Sequence, residues 1–385
     1  MNATTTRRRF LRALALATPA LAVAPQLKAA DRGRSFSFVL LGDLHFDRPG
    51  HHDMDWLHRH KPDDVRQVEN YCRITRDLTP RLLAAVRASL ARANPPDSAR
   101  AAFVLQVGDL VEGLCGSAEL AARQNREAIE FIEQAGLGVP FLFTKGNHDV
   151  TGDGATEAFA KIFHAFLTEQ RRRLEPQAAP LASANYSVRH GHALFCCFDA
   201  YDRTSLDWLE AALAKRTEEH CFVVIHPPVV PYGARATWHL YGGAKDKARR
   251  EKLLELLGAQ RAFVLGGHIH KYSALVREAG RGRFAQLAVS SIVSAAEVKP
   301  KDLLEGVKDY TGDQVRVEPN HSPGTEKERR AVYDAERPFV RAFQYADLPG
   351  HAVVTVDGAR VTARVFSGVS RELWRTVDLS GLIGS

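Results

Sequence analysis

The stretch Phe36-Ser37-Phe38-Val39-Leu40-Leu41-Gly42-Asp43-Leu44-His45 sets an almost unbroken apolar run against a glycine, a carboxylate and an imidazole. Such a run suits a strand buried on both faces, with the polar residues at its carboxyl end. The pattern recurs along the chain. Residues 102–107 lead into Gly108-Asp109, and residues 139–143 into Gly146-Asn147-His148-Asp149. Residues 221–225 end at His226, and residues 262–265 at Gly266-Gly267-His268-Ile269-His270. Between these runs, residues 80–91, 118–134, 205–215 and 248–257 carry apolar side chains three and four apart, the period of amphipathic helices covering a sheet, with Ser205 as a helix cap. The alternation predicts an α/β fold whose functional groups gather at one edge, at the carboxyl ends of the strands.

Residues 351–367 form two alternating runs around Asp357-Gly358, a hairpin signal. Residues 152–180 read as only partly helical, and residues 295–338 as a charged, poorly periodic excursion. With no internal repeat and no second composition, residues 31–385 read as a single domain with its core motifs in 36–290. The five cysteines, Cys72, Cys115, Cys196, Cys197 and Cys221, include no CxxC pair, which excludes a zinc knuckle and leaves buried free thiols as the expectation.

The 385 residues are 45% hydrophobic and 25% charged, an ordinary globular composition with a formal charge of +7. That excess is concentrated at the start. Thr6-Arg7-Arg8-Arg9-Phe10-Leu11-Arg12 precedes an Ala/Leu/Val stretch over 13–24 that is too short to span a bilayer. The segment resembles a twin-arginine export signal, which implies an address over residues 1–30, the export machinery as a partner, and a periplasmic or extracellular destination. Without it, 47 basic residues face 45 acidic ones, a net +2. That balance predicts no stable nucleic-acid partner, and the mature chain is expected to lack a transmembrane segment.

The strand ends together supply Asp43, His45, Asp109, Asn147, His226, His268 and His270, all oxygen or nitrogen donors. Such donors suit Mn, Fe or Zn. Seven are too many for one ion and enough for two if one carboxylate bridges. The ordered set Asp-X-His, Gly-Asp, Gly-Asn-His-Asp, His and Gly-His-X-His resembles the calcineurin-like metallophosphoesterase superfamily over residues 36–290 and the closing hairpin. The resemblance implies a four-layer double β-sandwich flanked by helices, holding two divalent or trivalent metal ions. Carried over, Asp43, His45 and His270 would bind the first metal and Asn147, His226 and His268 the second, with Asp109 bridging. His148 would act beside the substrate, oriented by Asp149. The implied reaction is hydrolysis of a phosphate ester by in-line attack of a metal-bridging hydroxide on phosphorus.

Departures from known branches narrow the expectation. Leu110-Val111-Glu112-Gly113-Leu114 lacks the Asp-Arg-Gly of protein serine/threonine phosphatases, and Glu112 replaces the tyrosine of purple acid phosphatases. The motif form is closer to cyclic-nucleotide phosphodiesterases and sphingomyelinase-like enzymes, so a diester is expected. A monoesterase or nuclease on the same site is the alternative, and a non-catalytic scaffold is disfavoured because no ligand is missing. His51 and His52, followed by His58 and His60, read as exposed loop residues, with His51 or His52 a candidate rim contact to phosphate. Trp238 and His239, with Tyr241, could form an aromatic rim for a base or acyl group of the substrate, a packed loop being the alternative.

Overall fold

The computed structural model describes residues 35–92, 102–233, 237–313 and 325–384. The proposed export address and residues 314–324 of the excursion lie outside the described residues. One sheet contains β1 (Phe36–Leu41), β2 (Val104–Gln106), β3 (Phe141–Phe143), β12 (Gly350–Asp357), β13 (Arg360–Ser367) and β14 (Glu372–Asp378), in the order β14-β13-β12-β1-β2-β3. The other contains β4 (Tyr186–His190), β5 (Ala193–Phe198), β6 (His220–Ile225), β7 (Phe263–Gly266), β8 (Tyr272–Ala279), β9 (Gly282–Ala288), β10 (Lys301–Glu305) and β11 (Val340–Asp347), in the order β10-β11-β8-β9-β7-β6-β5-β4.

Side chains alternate between the two faces of each strand, and this alternation builds the layers. Phe38 of β1 meets Phe195 of β5 and Phe222 of β6 edge to face, with ring centroids 5.2 and 5.6 Å apart, so these phenylalanines fill the space between the sheets. Their neighbours Leu194, Cys196, Val223 and Ile225 face away, into a second core shared with the helices Ser205–Ala214 and Lys247–Ala259. The helices Thr79–Arg92 and His164–Arg172 lie against the first sheet. The result is a mixed α/β sandwich of two sheets flanked by helices. Cys196 and Cys197 are consecutive and buried on opposite faces, and none of the five cysteines forms a disulfide.

The parallel pairings β1–β2, β2–β3, β5–β6 and β6–β7 carry the motif-bearing strand ends to common edges. Three details differ from the expectations. The hairpin turn is Gly358-Ala359, because Asp357 pairs with Arg360. Ser205 is not a cap: its hydroxyl lies within the first turn and donates to the Asp199 carbonyl at 2.6 Å. The excursion is partly regular, since β10 pairs with β11 and Glu326–Glu336 is a helix opened by a Thr325/Glu328 capping box. No described helix is long and apolar enough to cross a membrane.

Candidate metal centre

The turns that follow the strands are unusually tight. His45, Asp109, His268 and His270 take left-handed backbone angles, with φ of 45°, 55°, 69° and 57°, a region side-chain-bearing residues seldom occupy and one that clusters at functional sites. Two glycines make the packing possible. A Cβ on Gly146 would sit 2.1 Å from Asp109 Oδ1, and one on Gly267 would sit 2.5 Å from Asp43 Oδ2. Any larger residue at either position would displace a carboxylate.

The structure brings all seven donors together. Asp109 Oδ2 is 3.0 Å from His226 Nε2 and 3.7 Å from His45 Nε2. His45 Nε2 lies 3.2 Å from His270 Nε2, which is 3.7 Å from Asp43 Oδ1. On the other side, His268 Nδ1 is 3.2 Å from His226 Nε2 and 2.9 Å from Asn147 Oδ1. Among the described residues, Asp43, His45, Asp109 and His270 form one compact donor group and Asp109, His226 and His268 another, so Asp109 belongs to both. Asp43, His45, Asp109 and His226 are buried, while the side chains of His148 and His270 retain 19% and 15% exposure, so the site opens on their side.

These residues fit cations. Asp43 Oδ2 is buried without a hydrogen-bond partner, a costly arrangement that a positive ion would relieve. Burial and the nearby Asp109 carboxylate raise the Asp43 pKa despite the opposing effect of His226. Burial alone would lower His226, but Asp109 and Asp43 outweigh it and push the imidazole up to about 9. His226 Nδ1–H donates to the Val107 carbonyl at 2.8 Å, directing Nε2 toward Asp109.

His148 stands beside this cluster, its ring centroid 4.6 Å from that of His45. Its Nδ1–H donates to the Glu112 carbonyl at 2.8 Å, and its backbone N–H donates to Asp109 Oδ1 at 2.8 Å. Glu112 and Asp109 overcome the effect of burial and hold the ring at about 9. The expectation that Asp149 orients His148 is corrected. The Asp149 carboxylate points back into the loop and accepts from the amides of Asp109, Leu110, Val111 and Gly146 at 2.8–3.1 Å. It shapes the turn that presents Asp109, and burial beside Asp109 raises it to about 6.

Glu112 takes the orienting position instead. Its Oε2 is 2.6 Å from His45 Nδ1 and 3.3 Å from His148 Nδ1, and Gln67 donates to its Oε1 at 2.8 Å. Tyr71 stacks on His45, with centroids 4.3 Å apart and planes 4° from parallel. The sequence signal for Glu112 was its place three residues beyond Asp109; Gln67 and Tyr71 have no motif of their own.

His51 and His52 do not line the rim. His51 is fully buried and His52 is 7% exposed, both behind the site around Asp47. Trp238 does stand at the edge, 37% exposed, its ring centroid 4.7 Å from that of His268. His239 follows it, with Nδ1–H donating to the Thr237 carbonyl at 2.8 Å.

Residues 36–272 match the model of the calcineurin-like phosphoesterase family. The chain belongs to that family and is by class a metallophosphoesterase hydrolase. No curated protein matches it. A purple acid phosphatase, PPD1 from yellow lupin (Lupinus luteus) seeds, is similar at 12% identity over 89% of this chain and 53% of its own, with a TM-score of 0.50. The structure of PhoD aligns at 12% identity over 90% of this chain and 68% of its own, with a TM-score of 0.48. A dimetal phosphatase from Danio rerio aligns at 11% identity over 89% of this chain and 98% of its own, with a TM-score of 0.47. The chain spans about half the length of the lupin phosphatase, and the likeness to it concerns the fold alone.

Proposed function

We propose that the protein is a phosphodiesterase dependent on two metal ions. The observation that carries this reading is the gathering of six oxygen and nitrogen donors around Asp109, the one carboxylate common to both groups. Asp43, His45 and His270 would hold one cation and Asn147, His226 and His268 the other, with Asp109 touching both. Bound there, such ions supply an activated water and neutralise charge on the phosphoryl group. The protein's own part is positioning and proton delivery. Glu112 keeps His45 Nε2 turned inward. His148, with Nδ1–H committed to the Glu112 carbonyl, is left with Nε2 to protonate the leaving oxygen.

Support for a diester comes from two separate cavities that adjoin different donors. One is lined by Trp238, whose ring lies 4.7 Å from that of His268; the other, about 310 Å³, is lined by His270, Lys271, Ser290, Lys299 and Lys301. A phosphodiester has two substituents to place, whereas a monoester has one. Metal analysis of purified protein, with bis(p-nitrophenyl) phosphate and p-nitrophenyl phosphate assayed on the same sample, tests this. The expected result is about two metal ions per chain and a kcat/KM at least about tenfold higher for the diester. Equal or reversed preference would overturn the diester reading, and absence of metal-dependent hydrolysis would overturn the whole of it.

The export reading rests on Arg7 and Arg8. Replacing both with Lys is expected to retain the protein in the cytoplasm, and normal export of that variant would refute the pathway.

A further inference from the structure

The amino ends of the strands, remote from the metal centre, carry a set of donors that the hydrolytic chemistry does not use. Gly191, at φ 58°, lies in the turn from β4 into β5 and sets His192 at the amino end of β5. His220 opens β6 beside it, and its amide donates to the His192 carbonyl at 3.1 Å. His226, a donor of the metal centre, follows the other end of β6, about 20 Å away along the strand. Both rings meet one atom. The Gly358 carbonyl accepts from His192 Nε2–H at 3.0 Å and from His220 Nε2–H at 2.7 Å, and the ring centroids are 5.0 Å apart. A carbonyl can only accept, so each neutral ring carries its proton on Nε2 and presents Nδ1 as a lone pair.

We propose that His192, His220 and Glu219 form a site for a further divalent ion, of the class of zinc, nickel and copper, separate from the catalytic pair. One ring nitrogen of each histidine and one Glu219 carboxylate oxygen lie within 4.8 Å of one another. The observation that points to an ion is the state of His192. The residue is 7% exposed, and its Nδ1 is buried without a hydrogen-bond partner. A buried lone pair left unanswered is costly, and a cation would answer it. Donation of the other ring N–H to a backbone carbonyl is also the arrangement that orients metal-binding imidazoles.

Two imidazoles and one carboxylate suit zinc and its neighbours, whereas magnesium and calcium prefer oxygen throughout. Glu219 is exposed, so it supplies the negative charge at the solvent side, and three protein donors leave a fourth position for water. Arg216, whose charge opposes a cation, is engaged by Gln260 and by the carbonyls of Glu218 and Glu219 at 2.7–3.1 Å. With three donors and no bridging carboxylate, the site is expected to fill on addition of metal and to be empty after purification. Gly358 lies in the turn between β12 and β13 of the first sheet, while His192 and His220 belong to the second. An ion that fixes both rings would therefore clip the two sheets together at the end remote from catalysis.

The test is calorimetric titration of zinc chloride into the metal-loaded wild type and into the Asp109→Ala protein, whose catalytic centre is expected to be empty. Each should take up zinc at a site that His192→Ala abolishes. With Asp109 intact, His192→Ala should leave hydrolysis of bis(p-nitrophenyl) phosphate unchanged. Glu219→Ala, at an exposed side chain, should weaken that zinc at least about tenfold, and serves as a second route if His192→Ala fails to fold. Magnesium should not compete. Absence of zinc uptake by the Asp109→Ala protein overturns the site, as does uptake that His192→Ala and Glu219→Ala leave unchanged. Equal competition by magnesium overturns the assignment of ion class. A metal-loaded wild type that fails to hydrolyse the diester strikes the diesterase reading, while the Asp109→Ala titration still decides this site.

Discussion

Two histidine–carboxylate clusters arise within ten residues of one another, and they behave oppositely. Around Asp43 and Asp109, imidazole nitrogens crowd together at 3.2 Å and a buried carboxylate oxygen has no partner. Around Asp47, every donor is answered. Asp47 Oδ1 accepts from the Arg48 amide, His52 Nε2 and Gln124 Nε2 at 2.7–2.9 Å, while Cys72 approaches Oδ2 at 3.5 Å. His52 Nδ1–H donates to the Leu114 carbonyl at 3.1 Å. The Arg48 amide donates to His51 Nδ1 at 3.0 Å, and His51 Nε2–H donates to Glu127 at 3.0 Å. The charges follow. The Asp43 pKa is raised, whereas the His51 and His52 rings beside it hold Asp47 below its ordinary value despite burial. The difference teaches that hydrogen-bond satisfaction, rather than composition, separates a cluster built for ions from one built for the fold.

The largest test of that contrast is Asp109→Ala, which should remove both metals and reduce hydrolysis to background while the chain stays folded. Retained metal in that variant would break the comparison at its centre. Within the same site, His148→Ala should keep the metals and lower kcat by about 10²–10⁴. Glu112→Gln, acting through His45, should cost about 10–100-fold in metal affinity, read by competition with a chelator. On the other side of the comparison, Asp47→Ala should destabilise the fold by about 3–5 kcal/mol in urea unfolding, since it strips a partner from a buried charged pair. Its folded molecules should retain metal; if metal is lost instead, the second cluster is not merely structural.

The smallest effect concerns pH. Asp47 raises the His52 pKa above its ordinary value despite burial. A raised histidine contributes stability that is fully present below about pH 6.5 and lost as pH rises through the folded-state value. The stability difference between wild type and His52→Gln should therefore shrink as pH rises above about 6.5. A difference independent of pH would show that His52 does not act as a cation.

Much of this was legible because strand ends carry chemistry. The runs ending at Asp43, Asp109, Asn147, His226 and His268 became strands whose loops converge, and the helix Ala118–Gln134 has the limits its periodicity gives. β8 was hidden because Arg277 interrupts its apolar pattern. The burial of Arg277 is made tolerable by Glu336, 2.7 Å away on a helix 59 positions later. His51 and His52 misled for the same reason: Glu127 and the Leu114 carbonyl, which complete their hydrogen bonds, come from distant segments. Asp149 misled through adjacency, since the short turn at His148–Val150 sends its carboxylate toward the loop amides and away from the neighbouring ring.

The sequence by itself determined the inventory of donors, their order, and the alternation that sets them at strand ends, because donor type and periodicity are local properties of the chain. Only the tertiary structure decided which histidines remain available and which are consumed. Asp109 leaves the first sheet and His226 the second, and they meet at 3.0 Å only where the two edges join. Whether a buried polar group is satisfied depends on distances between segments far apart in the chain, and no local pattern encodes those distances.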